Sequence, residues 1–524
     1  MPPSSLAVEP DGPLEPSELA GAGDGGRRQI RGSSLLLVGR VLALVINMGA
    51  QVLMVRYLSK TDFGAVAYAL SLVNLGQQVA TFGLDRAVTR FLPMFDERRE
   101  DGKVLGTLIL VVGSIAFVGA SVVALVYLFG PQLAAGVIRD ETSFAVLLVL
   151  IMLAPIQALD DVLVGLFAVF AHPRAIFMRR YILGPGLRLA VVIALVTLGA
   201  GVTFLAVGYV AAAAVGVAIY SVVLFRQLDR RGMLARMRTA KTEFPIREIL
   251  AFTLPLLTSD LVYILITASD AIILGYFHDP ETVAAYRVVQ PAANLNLLVT
   301  SSFALLFTPV AARLVARRDD AGVNELYWQT AGWLAVISFP LFALTFALSA
   351  PITTTLWGER YEESALYLSI LAVGLYFNGV LGFNGLTLKV LGRMRAVLAV
   401  NGAAAIATIL FNLALIPRFG ALGAAIGTAA SYGVYNAAKQ LALRRSSNVA
   451  GFDARYARLY LLISLAVGAL VVLRLTIESP LVLGAGVAAT SAGVLVAGRR
   501  VLDVERTFPE LARLPMFGRW LRGT

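Results

Sequence analysis

The chain has 524 residues, 58% hydrophobic and 15% charged, with mean hydropathy +0.78, a net charge of +11 and no cysteine. A soluble domain carries roughly 45–50% apolar and about 25% charged residues, so this composition is that of a membrane protein. Without cysteine there are no disulfides, thiolate metal sites or catalytic thiols, and two histidines, His172 and His278, are too few for a multi-histidine metal centre.

The chain opens on a Pro/Gly/Ser-rich, acidic stretch that reads as a disordered cytosolic tail over 1–32. The tail lacks the basic start and short apolar run of a signal peptide, so the first span is expected to be a retained anchor. A membrane span needs about 20 mainly apolar residues with charges at its ends. That template predicts about fourteen helices, at 33–55, 64–84, 104–128, 143–170, 177–199, 204–225, 249–275, 284–312, 328–350, 364–390, 396–416, 420–443, 456–474 and 478–498. The second and eighth are polar for spans. A basic cytosolic tail, 499–524, ends the chain.

Charge sets the expected orientation. Segments on one side, including 85–103, 172–180, 226–248, 313–327 and 439–458, carry 35 basic against 20 acidic residues. The opposite loops carry 7 and 9, and the span interiors hold two arginines and four aspartates. The positive side is the cytosolic one, so both termini are expected in the cytoplasm of a multi-pass cell-membrane protein. Basic charge placed this way records topology and gives no support to nucleic acid as a partner.

Two pairings at an offset of about 220 residues suggest an internal repeat. Gly165-Leu-Phe-Ala-Val-Phe-Ala-His-Pro-Arg matches Gly385-Leu-Thr-Leu-Lys-Val-Leu-Gly-Arg, and Lys60-Thr-Asp-Phe-Gly64 matches Asp279-Pro-Glu-Thr-Val283. The expected organisation is two parallel six-helix lobes, 33–225 and 249–443, around a central cavity. A basic linker, 226–248, joins them, and two additional transmembrane helices occupy 444–498.

Several segments resemble the polysaccharide-transporter branch of the multidrug/oligosaccharidyl-lipid/polysaccharide exporter superfamily, which includes the Wzx-like flippases. They are Arg56-Tyr-Leu-Ser-Lys-Thr-Asp-Phe-Gly64, Phe82-Gly-Leu-Asp-Arg-Ala-Val-Thr-Arg90, Asp270-Ala-Ile-Ile-Leu-Gly-Tyr-Phe277, Leu356-Trp-Gly-Glu-Arg-Tyr361 and Asn412-Leu-Ala-Leu-Ile-Pro417-Arg-Phe-Gly420-Ala-Leu-Gly-Ala-Ala425. The resemblance covers about residues 30–445 and implies an all-α fold of two six-helix bundles around a cavity, with two further C-terminal helices in many members.

Ionisable groups inside spans are functional candidates because a charge in hydrocarbon costs several kcal/mol. Arg40, Asn47 and Gln51 form a polar stripe on the first span, although Arg40 is shallow enough to snorkel. Asn74, Gln77, Gln78 and Thr81 form a second stripe, and Arg287, Gln290, Asn294 and Ser301 a third on its repeat partner. Such stripes suit either a water-filled passage or interhelical hydrogen bonding, and Arg287 sits either inward or at the outer interface. Arg188 lies mid-span and needs a partner, Asp160 or Asp161, or a substrate phosphate. Asp260 and Asp270 could hold Na⁺ or a proton or neutralise an arginine, with Asp270 near the outer end. Lys389, Arg393 and Arg395 read as a lipid-headgroup contact or a gathering point for substrate phosphate. Trp357, Tyr432 and Tyr435 read as interface-belt aromatics, and Gly423-x-x-x-Gly427 as close helix packing.

The expected function is transport, not enzymatic catalysis, with no cofactor beyond a coupling Na⁺ or H⁺. The resemblance implies a flippase carrying a polyprenyl-(pyro)phosphate-linked oligosaccharide from the cytosolic to the outer leaflet, with the bilayer and glycan polymerase or assembly proteins as partners. Alternatives are a cation-coupled multidrug exporter, a peptidoglycan lipid-precursor flippase, or, from a different class, a membrane glycan polymerase, ligase or assembly scaffold.

Overall fold

The computed structural model describes residues 38–81, 83–130, 132, 140–170, 173–381 and 383–501, but not the side chains of 173–174, 254–267, 305–306 and 500–501. The expected acidic tail 1–32 and the C-terminal tail beyond Val501 lie outside them. Among the described residues the structure is helical, with no strand.

The first half holds α1 (Val38–Tyr57), α2 (Lys60–Thr81), α3 (Leu84–Glu97), α4 (Asp101–Leu128), α5 (Glu141–Phe170), α6 (Ala175–Thr197) and α7 (Val202–Arg230). After the short α8 (Met233–Thr239) come α9 (Ile246–Phe277) and the bent α10 (Pro280–Ala304 with Phe307–Ala316). Next come α11 (Asp320–Ala347), α12 (Ser349–Trp357) and α13 (Ser364–Val390). Met394–Ser446 is one helical run broken by left-handed Gly420 (φ 55°), so it makes two helices, α14 (394–419) and α15 (421–446). Helices α16 (Ala457–Thr476) and α17 (Pro480–Val501) close the fold.

Ten of these runs are long and apolar enough to cross a membrane, or eleven if the bent α10 is one span, and Met394–Ser446 counts as one although it turns. The chain is therefore a multi-pass membrane protein. The predicted second span, α2, is a helix but too polar to qualify, which agrees with its amide-rich stripe. The predicted seventh span is helical throughout as α9.

Apolar side chains gather into three cores, and their membership explains the shape. We call the end carrying the basic loops the basic end and the opposite one the far end. One core joins both halves at the far end, with Val55, Tyr68, Leu150 and Leu195 packed together with Tyr286, Trp357, Leu371 and Ile416. Toward the basic end a second core, including Phe95, Phe167 and Leu224, draws on residues before 253. A third, including Phe339, Tyr376 and Leu470, lies wholly in the second half and the C-terminal pair. The halves are thus fused by apolar packing at one end and hold separate cores at the other. Trp357, expected at the lipid interface, is instead 1% exposed inside the far-end core, because α12 folds back beneath the start of α13.

Glycine permits the fusion. A Cβ on Gly64 of α2 would lie 1.8 Å from the Pro280 carbonyl oxygen at the start of α10, so only hydrogen fits between the two halves there. Gly423 and Gly427 likewise let α15 lie against Leu415 and Asn412 of α14.

Candidate functional site

Immediately on the basic side of the far-end core lies a cavity of about 560 Å³. Ala50, Met54 and Leu153, which line it, also belong to the far-end core. Asn47 and Gln51 of α1, Asn74 and Gln77 of α2, Gln157, Asp160 and Asp161 of α5, Arg188 of α6 and Tyr209 of α7 line the rest, and Pro291 of α10 is the contribution of the second half. Helical spacing explains the convergence: Asn47 and Gln51 are one turn apart on α1, as are Gln157 and Asp161 on α5.

The acidic pair divides its work. Asp160 Oδ1 accepts from Arg179 Nε at 2.9 Å and from Nη2 at 2.5 Å. Arg179 is 6% exposed, with its guanidinium over the Tyr220 ring and against Gly216. This buried pair ties α6 to α5 and α7. Asp161 instead accepts from Gln77 Nε2 at 2.7 Å. Arg188, expected to pair with one of these carboxylates, does not. It is exposed on the cavity wall and, among the described residues, has neither an ion pair nor a hydrogen bond. The sequence alone places Arg179 in a cytosolic segment, but the π-helical run Met178–Leu183 carries it inside the bundle.

Other expected cavity residues stand elsewhere. Arg287 and Gln290 are absent from the cavity wall and belong to a buried network at the far end. Arg287 Nη1 donates to Gln290 Oε1 at 2.6 Å and Nη2 to Ser71 Oγ of α2 at 2.8 Å, with Asp270 Oδ1 3.8 Å away. Asp270 also accepts from the Tyr286 hydroxyl at 2.5 Å and is 3% exposed, so it is not the solvated outer group that its position near the end of α9 suggested. Arg287 therefore bridges the halves. Arg40 lies outside the cavity too, donating to Ser301 Oγ of α10 at 2.8 Å across the gap between α1 and α10. Gln78 and Asn294 are exposed and off the cavity wall; on α2 it is the neighbouring Gln77 that lines it. Asp260 falls on α9, among the side chains not described.

The cavity offers one unpaired guanidinium, one carboxylate outside any ion pair and a rim of amides. That set can hold an anion and hydrogen-bond to hydroxyls. No group of three or more metal-ligating side chains occurs among the described residues.

Comparison with known proteins assigns the chain. A family model described as polysaccharide biosynthesis protein matches residues 53–366. An uncharacterized membrane protein of Methanocaldococcus jannaschii is 24% identical over 425 residues, covering 77% of this chain and 82% of that protein. The capsular polysaccharide biosynthesis protein CapF of Staphylococcus aureus is 24% identical over 182 residues, 34% of this chain and 46% of that one. Among solved structures, lipid II flippase MurJ in an inward closed conformation superposes with TM-score 0.66 at 15% identity, covering 89% of this chain and 99% of MurJ. An inward-facing multidrug resistance MATE family transporter gives TM-score 0.64 at 15% identity, covering 77% of this chain and 94% of that one. The fold is that of transporters of the multidrug/oligosaccharidyl-lipid/polysaccharide exporter superfamily, and the chain belongs to the polysaccharide biosynthesis protein family.

Proposed function

We propose that this protein is a flippase that moves a polyprenyl-(pyro)phosphate-linked oligosaccharide from the cytosolic to the outer leaflet of the cell membrane by alternating access. The observation that carries the reading is the cavity of about 560 Å³ walled by amides and by the unpaired Arg188. A guanidinium without a counter-ion is a receptor for phosphate, and amide rims hydrate sugar. Ligand pockets of roughly 300–1,000 Å³ are ordinary, so the volume suits a diphosphate with its first sugars. The lipid tail stays in the bilayer, leaving through the seam between α1 and α10, which Arg40 and Ser301 span.

The remaining assignments belong to the same proposal. Residues 33–225 and 249–443 act as two parallel six-helix lobes of a fourteen-span protein, joined by the linker 226–248, with both termini cytosolic. The shared far-end core supports an inward-facing resting state, as does the higher TM-score to the inward-facing MATE transporter than to an outward-facing one, 0.64 against 0.52. Asp161, outside any ion pair, is the coupling site for Na⁺ or a proton. Two carboxylates in the cavity also suit cationic substrates, so the rival reading is a cation-coupled drug exporter.

Reconstitution into liposomes with a lipid-linked oligosaccharide, scoring leaflet transfer with and without Na⁺, a proton gradient and a membrane potential, tests the reading. Arg188→Gln is expected to lower transfer at least about tenfold, the worth of one charge-assisted contact of ~1.4 kcal/mol, while the protein still inserts. Export of cationic drugs with no lipid transfer by the wild type would assign the rival function.

A further inference from the structure

We propose that Lys439 and Lys389 form a binding site for the phosphoryl group of an anionic lipid at the basic end of the second half. The inference deepens the flippase reading and rests on it only for the identity of the lipid. Lys439 of α15 is 8% exposed. Its ammonium lies 3.3 Å from the centroid of the Tyr435 ring, one turn earlier on the same helix. The stem runs against Gly385 of α13, where a Cβ would come within 3.2 Å of Cε, so the glycine leaves the channel the lysine occupies.

Among the described residues Lys439 stands apart in its pairing. Three charged residues are buried: Arg179 has Asp160, Asp270 has Arg287 and Tyr286, and Lys439 has no carboxylate and no hydrogen-bond acceptor. Its charged neighbour is a second cation, Lys389, one turn beyond Gly385 on α13 and exposed. Arg393 and Arg395, also exposed, come next across the turn at left-handed Gly392. Burying an ammonium without a counter-ion is costly, a like charge beside it adds to the cost, and a tyrosine face recovers only part. An anionic phosphoryl group placed between the two lysines relieves both penalties, and clusters of basic residues beside membrane helices bind such headgroups. The phosphoryl group comes either from the prenyl diphosphate of the transported lipid or from the headgroup of a bilayer phospholipid.

The test uses the purified full-length chain, titrated with farnesyl diphosphate and separately with phosphatidylglycerol, reading affinity and thermal stability. Lys439→Met is expected to weaken binding at least about tenfold, Lys389→Gln several-fold, and Lys439→Arg to retain it. Without added lipid, Lys439→Met is expected to melt at or above the wild-type temperature, because an uncompensated cation has been removed. Loss confined to farnesyl diphosphate assigns the site to transported lipid, and loss for phosphatidylglycerol assigns it to bilayer headgroups. Unchanged affinity for both probes overturns the proposal. A lower melting temperature without lipid does so too, since it would make Lys439 a structural residue. A chain that binds through Lys439 but transfers no lipid-linked oligosaccharide keeps the site and removes the flippase reading.

Discussion

The alternating access proposed above requires the far end to open, and two arginines tie the halves together there reciprocally. Arg56, at the end of α1, donates from Nε to the Leu356 carbonyl at 2.9 Å and from Nη2 to the Thr355 carbonyl, at the end of α12. Arg360, just past α12, donates from Nη2 back to the Leu58 carbonyl at 2.8 Å and to the Val55 carbonyl, at the end of α1. Each guanidinium thus caps the negative end of a helix belonging to the other half. A hydrogen bond involving a charged group nets about 1.5–3 kcal/mol. Both arginines are exposed, so solvent screening reduces each clasp to about 1 kcal/mol or slightly more. Arg56→Ala together with Arg360→Ala should therefore shift the closed-to-open ratio at this end by about 2–3 kcal/mol, roughly 30- to 150-fold. The absence of cysteine makes the assay direct. Spin labels on Gly201→Cys and Glu359→Cys, both exposed and on opposite halves, report the far-end distance by double electron–electron resonance. The double variant should populate a longer distance that the labelled wild type lacks. An unchanged distance distribution together with unchanged lipid transfer would refute the idea that these clasps set the conformational balance.

Three further outcomes are expected. Arg179→Ala leaves Asp160 without its buried partner and should destabilise the protein by about 2–3 kcal/mol, less than a fully buried pair because the Asp160 side chain is 31% exposed; a melting curve checks this. Gly64→Ala places a methyl group on the Pro280 carbonyl, so the same spin-label pair should report a population shifted away from the closed far end, and an unshifted distribution would mean the helices slide to make room. At the basic end the hydrogen bond from Arg455 holds the Asp453 carboxyl below its usual range, despite some opposing desolvation. A depressed carboxylate contributes stability that is present above its ordinary value and lost as pH falls through the depressed one. Asp453→Asn should therefore lower the melting temperature at neutral pH, and the difference should close only once pH has fallen below the depressed value, that is, below the ordinary aspartate range.

Apolar runs and turn residues made the helices legible in the sequence. Of the polar stripes on α1 and α2, Asn47, Gln51, Asn74 and Gln77 line one cavity, whereas Arg40 and Gln78 do not. What one sequence could not separate was a polar residue facing a passage from one joining two helices, because both produce the same spacing. Arg287 and Gln290 repeat with helical periodicity, yet they bond to each other, Gln290 also to Asp270 of α9 and Arg287 to Ser71 at the seam between halves. Ser71, the partner of Arg287 on α2, is over 200 positions away in the chain, so only the tertiary fold decides the choice.

Arg179 and Arg188 show the same limit at the scale of one helix, with a consequence for the mechanism. They are nine residues apart, which on a regular α-helix is about 180° of rotation, so one would face α5 and the other the opposite side. Arg179 sits at the start of the π-helical run Met178–Leu183, whose remainder separates it from Arg188, and accommodating one extra residue in a turn rotates the next stretch of helix by about 100°. Both guanidinium groups then fall on adjacent faces toward the bundle interior. Arg179 takes the Asp160 carboxylate, and Arg188, further along the same helix on the cavity wall, is left without one. Had Arg188 met that carboxylate instead, its charge would have been spent on an internal salt bridge and would draw phosphate weakly. The irregular turn that hid Arg179 from a sequence reading is therefore what supplies the cavity with its unspent positive charge.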